Sequence, residues 1–239
     1  MKAINIKYYE FEYGFANGYN KVKPDYVNNE SCLKNFCNVF FDHIYDIIVL
    51  ADNCSDDTIT MIKKYIDPVN IKGVNVGHGA GTFNLALDKA LGFDDETIVY
   101  FVENDYLHLQ NSHNIIKEGL NLGVDFISLY DHPDKYIDGI NPYVEDGGEI
   151  TKVFLTNSCH WKFTNSTTMT FAAKVKTLKK HEYILRKYTS TSHPHDFDMW
   201  IDLRTKGVSL ITSIPGYSTH GESAWLSPLI NWENVNSNT

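Results

Sequence analysis

Arginine is almost absent from this chain. It has two, Arg186 and Arg204, against 19 lysines, and its 21 basic residues face 30 acidic ones for a formal charge of −9. A dedicated DNA or RNA binder needs a basic face, so nucleic acid is not an expected partner. Long apolar runs are missing too. Nothing approaches the roughly 20 residues of a membrane span. The opening stretch MKAINIKYYEFEYG is too polar for a signal peptide. Cysteine is sparse: Cys32, Cys37, Cys54 and Cys159 form no CxxC pair and no regular framework. Reduced thiols in a cytoplasmic protein follow. Internal repeats and low-complexity linkers are lacking as well.

What is present is an ordinary globular balance, 43% hydrophobic and 21% charged over 239 residues, enough chain to bury a core without disulfide staples. The first half alternates short apolar runs with helical patterns. INIKYY (Ile4 to Tyr9) alternates with period two. Asn29 to Phe41 carries Leu33, Phe36, Cys37 and Phe40 at helical spacing. YDIIVLAD (Tyr45 to Asp52) is short enough for a buried strand, and DDTITMIKKYI follows with Ile59, Ile62 and Ile66 on one face. A short strand at Val74 to Val76 leads through the loop GHGAG to the helix TFNLALDKAL, closed at Gly92. TIVYFVEND (Thr97 to Asp105) is the most apolar strand. A helix over Asn111 to Leu122 and the strand DFISLYD complete the series. Such βα alternation predicts an α/β fold with a mostly parallel central sheet flanked by helices.

After residue 131 the pattern loosens into Pro/Gly loops. Strand-like TKVFLT and TTMTFAA follow, then a basic helix KVKTLKKHEYILRKY, the segment HPHDFDMWIDLRTKG, a strand VSLIT and a Trp/Pro/Asn-rich tail. The expectation is a single domain over 1–239, with 131–239 as its second half, because 1–130 alone offers only part of a site.

Open parallel sheets bind ligands beyond the carboxyl ends of their strands, so polar residues there are the informative ones. Two ends stand out: Asp52-Asn53-Cys54-Ser55-Asp56-Asp57 and Glu103-Asn104-Asp105. Glu103 and Asp105, one residue apart, can converge on a hard cation such as Mg²⁺ or Mn²⁺, or be solvated acids before the next helix. Asp52 can bond a ribose or base, or cap a turn before Thr58. Asp56 and Asp57 complement a helix dipole and are structural.

The segment DNCSDDT after an apolar strand resembles the one that opens family 2 glycosyltransferases of the GT-A fold. VENDY is similar to that family's DxD motif, with Glu103 in the first place. HDFDMWIDLRTKG resembles its later ED-x-x-L…R…G segment: Asp196 matches the Asp, His195 replaces the Glu, and Arg204 lies about two residues late. STHGESAWLSP is similar to the family's C-terminal segment, with His220 at the position that can complete a metal site. The likeness runs in order over roughly 45 to 210.

What this resemblance implies is a GT-A-like fold whose 1–130 half binds the nucleotide sugar and whose 131–239 half serves acceptor and catalysis. The implied activity is inverting transfer of a sugar from a nucleoside-diphosphate sugar, UDP by preference, to a hydroxyl of a glycan or other acceptor. A divalent metal (Mn²⁺ or Mg²⁺) held by Glu103, Asp105 and His220 would offset charge on the departing diphosphate. Asp52, with Asn53, Gly79, Asn84 and Asn104, would contact the nucleotide, with GHGAG lining its pocket. Asp196 would be the general base, with Asp198 in reserve and an N-cap role as the plain alternative. Lys21 and Lys23 would contact the diphosphate or, by preference, be solvated. His108 is read as a plain loop residue rather than a second-layer group, and Trp161 as core rather than a sugar platform.

Three rivals stand. GHGAG between a strand and a helix, with Glu103 about 20 residues on, also suits an NAD(P)-linked oxidoreductase. The spacing is GxGxG, and two strands precede it. A GT-A-like protein that binds nucleotide sugar or glycan without turnover is the second, kept open by His195. A nucleotidyltransferase is the third, for which Gly14 to Lys23 is a poor match.

Overall fold

A computed structural model of the chain describes residues 6–13 and 21–237. Strands β1 (Ile6–Tyr13), β2 (Ile48–Asp52), β3 (Ile71–Val74) and β4 (Ile98–Glu103) come from the first half, together with helices α1 (Asn29–Val39), α2 (Asp56–Ile62) and α3 (Gly79–Leu91). After β4 come β5 (Tyr106–His108), α4 (Ser112–Leu120) and β6 (Phe126–Ser128). The second half supplies β7 (Val153–Leu155), β8 (His160–Phe163), β9 (Phe171–Lys174), α5 (Val175–Tyr188), α6 (Asp196–Thr205), β10 (Leu210–Ile214), β11 (Ser218–His220) and α7 (Trp232–Ser237).

Among the described residues the strands form one large sheet in the order β3-β2-β1-β4-β9-β6-β10-β8-β7, and a two-stranded ribbon of β5 and β11. The pairs β3–β2, β2–β1, β1–β4 and β6–β10 are parallel. Strands β9 and β8 run against their neighbours. The fold is α/β with a mixed, mostly parallel sheet.

β4 explains the layering. It is buried along Ile98–Val102, as a strand covered on both faces must be. Ile98, Tyr100 and Val102 point to one side, into a core with Phe36 of α1, Phe40 just after it, Ile62 of α2 and Ile115 and Ile116 of α4. Val99 and Phe101 point to the other, among Phe83 and Leu87 of α3, Leu178 and Leu185 of α5, and Trp200 of α6. The period-two alternation thus divides one strand between two helical layers.

Several expectations need correction. The first strand was expected over Ile4 to Tyr9. Ile4 lies outside the described residues, and β1 continues past Tyr9 to Tyr13 through a register shift. Residues 14–20 of the stretch before Pro24 also lie outside. The third strand sits at Ile71–Val74, three residues earlier than VNV suggested. α3 begins inside GHGAG, at Gly79, because the His78 side chain caps it by accepting from Gly81 N at 3.0 Å. The run to Asp105 breaks at Glu103. His108 is no loop residue: it is fully buried on β5, with Nε2 2.8 Å from the Tyr100 hydroxyl and its ring edge-on to Phe36 and Phe40. The strand β8 carries Trp161, which is wholly buried as the core reading required. No helix among the described residues is long and apolar enough to cross a membrane.

Candidate active site

The strand order fixes where a ligand fits. From β1 the chain moves outward to β2 and β3, then returns across β1 to β4. That reversal is a topological switch point, with its crevice beyond the carboxyl ends of β1 and β4. Asp52 ends β2 and Glu103 ends β4, with β1 between them. At about 4.8 Å per strand the two ends are on the order of 10 Å apart.

At the tip of β4 the chain turns through Asn104 and Asp105 into β5, which leaves the large sheet. β5 pairs antiparallel with β11, His220 opposite Tyr106. This ribbon brings His220 to Asp105, with Nε2 3.2 Å from Oδ2. Gly221 N donates to the Asp105 carbonyl at 2.7 Å. A Cβ on Gly221 would fall 2.8 Å from that carbonyl oxygen and 2.4 Å from Val27 Cγ1, so only glycine permits the approach.

A third segment closes in. Ser223 N donates to the Val22 carbonyl at 2.8 Å, which ties residues 21–23 to the chain after β11. Lys21 and Lys23 flank Val22, and their Nζ atoms lie 3.0 and 3.1 Å from Asp105 Oδ2. Lys21 Nζ is also 3.0 Å from His220 Nε2. The expectation of a solvated lysine pair is thereby replaced: both lysines meet on one buried carboxylate. Burial alone would push the Asp105 carboxyl up. The His220 hydrogen bond and the charges of His220, Lys21 and Lys23 outweigh it and hold Asp105 well below the usual carboxylate range.

Glu103 and Asp196 behave oppositely. Burial pushes the Glu103 carboxyl up, partly opposed by the Lys21 charge and reinforced by Asp105 and Asp196. Its Oε2 accepts from Thr170 Oγ1 at 3.3 Å. Asp196 opens α6, and its Oδ1 accepts from Phe197 N at 2.8 Å. Burial raises it too, against hydrogen bonds from the Phe197 amide and its own, and the charges of Lys135 and His195. Trp200 Nε1 donates to the Thr168 carbonyl at 3.4 Å, while Thr168 Oγ1 is 2.7 Å from the Tyr106 hydroxyl. That link carries the start of α6 to the β5 ribbon. Asp198 is exposed.

The residues expected to hold nucleotide divide differently. Asp52 is buried and accepts from Val76 N at 2.7 Å, Gly77 N at 2.8 Å and Thr82 Oγ1 at 3.1 Å. Its oxygens thus anchor the loop before α3, and a ribose would compete with those donors. Asn53 is exposed with a left-handed backbone, φ 52°. Asn84 bonds Thr189 through both amide atoms, at 2.9 and 3.1 Å, joining α3 to the end of α5. Asn104 donates to Asn29 Oδ1 at 3.1 Å. Gly79 is the first residue of α3.

Sequence reasoning passed over the carboxyl end of β6. Asp131 there accepts from the Tyr136 hydroxyl at 2.7 Å and pairs with buried Lys162 at 3.0 Å. Lys135, also buried, bonds Asp134 Oδ2 at 2.9 Å and Ser166 Oγ at 2.8 Å. The signal was available: DFISLYDH ends an apolar strand in an acid, as the two chosen ends do.

A divalent ion on Asp105 and His220 would use Oδ2 and Nε2, at roughly 2.0–2.1 Å if the ion were Mg²⁺. The Lys21 ammonium already contacts both of those atoms, at 3.0 Å each, and Lys23 is 3.1 Å from Oδ2. Among the described residues no group of three or more His, Cys, Asp or Glu is arranged to hold an ion. The side chains as arranged fit an ammonium pair and not a divalent metal.

No family model and no curated protein matches the chain. Among solved structures it is similar to A197 from STIV, at 14% identity over 94% of this chain and 90% of that one, TM-score 0.47. It is also similar to S. aureus TarS 1-349, at 16% identity over 74% of this chain and 49% of that one, TM-score 0.40. A third is the galactosyltransferase LgtC in complex with donor and acceptor sugar analogs, at 12% identity over 76% and 68%, TM-score 0.43. The chain's own strands and side chains define its class: an α/β protein with a cluster of charged side chains at a switch point of its sheet.

Proposed function

We propose that the protein is a GT-A-like glycosyltransferase that moves a sugar from a nucleoside-diphosphate sugar to an acceptor hydroxyl with inversion. The observation that carries this reading is the opposition of two kinds of group at the switch point. Lys21, Lys23 and His220 gather cationic and donor groups around Asp105, and Asp196 presents a carboxyl raised by burial.

In this reaction Asp196 takes the proton from the acceptor hydroxyl. The freed oxygen attacks the anomeric carbon, and the bond from that carbon to the diphosphate oxygen breaks. The diphosphate departs with the electron pair. The raised carboxyl of Asp196 is a stronger base than a free aspartate once ionised. UDP is the proposed nucleotide and a cytoplasmic setting goes with it, supported by four free cysteines. Metal dependence was expected, but the side chains at Asp105 favour ammonium groups, and no step is assigned to an ion. The oxidoreductase alternative loses support because the GHGAG loop follows β3, the edge strand of the sheet, and not β1 or β4 at the switch point.

The test is release of nucleoside diphosphate from a panel of sugar nucleotides, with and without glycan acceptors. Asp196→Asn should keep donor binding and lose at least about a hundredfold in turnover, and Asp198→Asn should stay within a few-fold. Binding without turnover in the unaltered protein would move the assignment to the non-catalytic rival.

A further inference from the structure

We infer that the turn around Tyr143 and the adjoining face of α6 bind an uncharged saccharide chain, as an acceptor more than one ring long. The inference rests on the transferase reading above and adds the kind of acceptor and the side chains that grip it.

Residues 136–143 expose Tyr136, Ile137, Ile140 and Tyr143. An apolar cluster of this kind on a folded surface marks an interaction site. The segment is held from below by Asn141, which is buried. Its Nδ2 donates to Asp134 Oδ2 at 2.8 Å and to Asn165 Oδ1 at 3.1 Å, and its Oδ1 accepts from Tyr143 N at 3.0 Å. The Tyr143 ring, 47% exposed, therefore stands on a fixed backbone, which lowers the ordering cost of binding.

Its neighbours lead to the proposed base. The ring centroid lies 6.4 Å from that of half-buried Phe197, the residue after Asp196, and 5.5 Å from the Arg204 guanidinium carbon. Phe197 and Arg204 are seven apart on α6 and share a face. Asp196 and Arg204 are about 12 Å apart along the helix axis, longer than one sugar ring. At the far end a cavity of about 210 Å³ opens between Glu149, Thr151, Phe163 and Arg204. It is smaller than the roughly 300–1,000 Å³ of pockets for drug-sized ligands, and suits a single ring.

The chemistry of this surface selects the ligand. Aromatic rings offer apolar faces to the C–H side of a pyranose. Among the described residues the Arg204 side chain has no hydrogen bond or ion pair, its contact with the Tyr143 ring aside. Its N–H groups can therefore donate to hydroxyl oxygens. The charges exposed over 136–155, taken with Glu149 and Arg204, are four acids (Asp138, Glu145, Asp146, Glu149) and two bases (Lys152, Arg204). That balance repels a polyanionic chain or an anionic lipid surface and leaves a neutral sugar chain as the fitting occupant.

The experiment screens the full chain on an array of neutral and anionic glycans. The best neutral glycan and its monosaccharide are then measured by calorimetry with no donor present. Wild type is compared with Tyr143→Ala, Tyr143→Phe, Arg204→Met and Tyr183→Ala, the last an exposed aromatic of α5, each checked for a native melting transition. The glycan should bind more tightly than its monosaccharide. Tyr143→Ala should lose about tenfold or more, and Arg204→Met about threefold or more for the longer glycan. Tyr143→Phe and Tyr183→Ala should stay within about twofold of wild type. Retention of no neutral glycan, a preference for anionic ones, or wild-type affinity in Tyr143→Ala would overturn the inference. So would self-association, read by light scattering, that Tyr143→Ala abolishes while no glycan binds, since the surface would then belong to a second copy of the chain.

Sugar-nucleotide turnover, measured alongside, separates the two readings. Tyr143-dependent glycan binding without turnover of any sugar nucleotide would leave the surface standing and remove the enzyme assignment. Turnover whose acceptor KM ignores Tyr143 would do the reverse.

Discussion

Gly119 of α4 lies against the indole of Trp161: a Cβ placed on it would fall 2.6 Å from Cη2 and 2.9 Å from Cζ2. The indole has no room to move, because it is fully buried and its Nε1 donates to Thr156 Oγ1 at 3.0 Å. In an exposed helix Gly→Ala gains about 1 kcal/mol. Here overpacking costs about 1–3 kcal/mol and should win. Gly119→Ala is expected to lower the melting temperature by a few degrees. A rise in thermal melting would show that the ring yields.

His108 should make the fold acid-sensitive. Burial pushes its imidazole down from 6.5 to about 3. Between those values the unfolded chain takes up a proton that the native state refuses. The stability from this residue is complete above pH 6.5 and is lost as pH falls toward 3, by on the order of a few kcal/mol. His108→Phe matches the neighbouring Phe36 and Phe40 but leaves the Tyr100 hydroxyl without its ring partner, at a pH-independent cost of about 1–3 kcal/mol. Urea unfolding from pH 7 to 4 should therefore show a lower but flatter stability curve. Parallel curves for the two proteins would contradict this.

Lys135 should tune the proposed base. Its charge opposes the burial that raises Asp196, so Lys135→Met should let the Asp196 carboxyl rise further. The acid limb of kcat/KM is then expected to move to higher pH, with the alkaline plateau within a few-fold of wild type. Asp134 keeps His132 at 2.8 Å and Asn141 Nδ2 at 2.8 Å as partners, which protects the loop. A uniformly lowered profile with an unmoved limb would assign Lys135 a purely structural part.

The parts of this fold legible in the sequence were those that a local pattern determines. IVLAD and IVYFVE are apolar on both faces and became β2 and β4, and Ile62 and Phe83 fall on helical faces that pack as the spacing requires. What stayed hidden depends on distant residues. The break between Glu103 and Tyr106 leaves no mark in TIVYFVENDY, since β5 is separate only because β11 claims it from over 100 residues away. His108 looks polar in the sequence and is core because Phe36, Phe40 and Tyr100 surround it. At the site, Asp105 and His220 were singled out by the motifs they resemble. The lysines on them were read as solvated because their partner carboxylate is 84 residues from Lys21. Asp52 was chosen correctly as a strand-end acid, but the donors of Val76, Gly77 and Thr82 that absorb it are set by the path of a later loop.

The position of β9 has a consequence for how the protein is made. It lies between β4 and β6 and pairs with both, yet it is translated some 40 residues after β6. Until Phe171–Lys174 leaves the ribosome, β4 has a bare edge of hydrophobic backbone that any passing strand can zip onto. Truncation near residue 130 should thus yield aggregates instead of a half-sized folded unit, and synthesis should be the stage at which this chain most needs a chaperone.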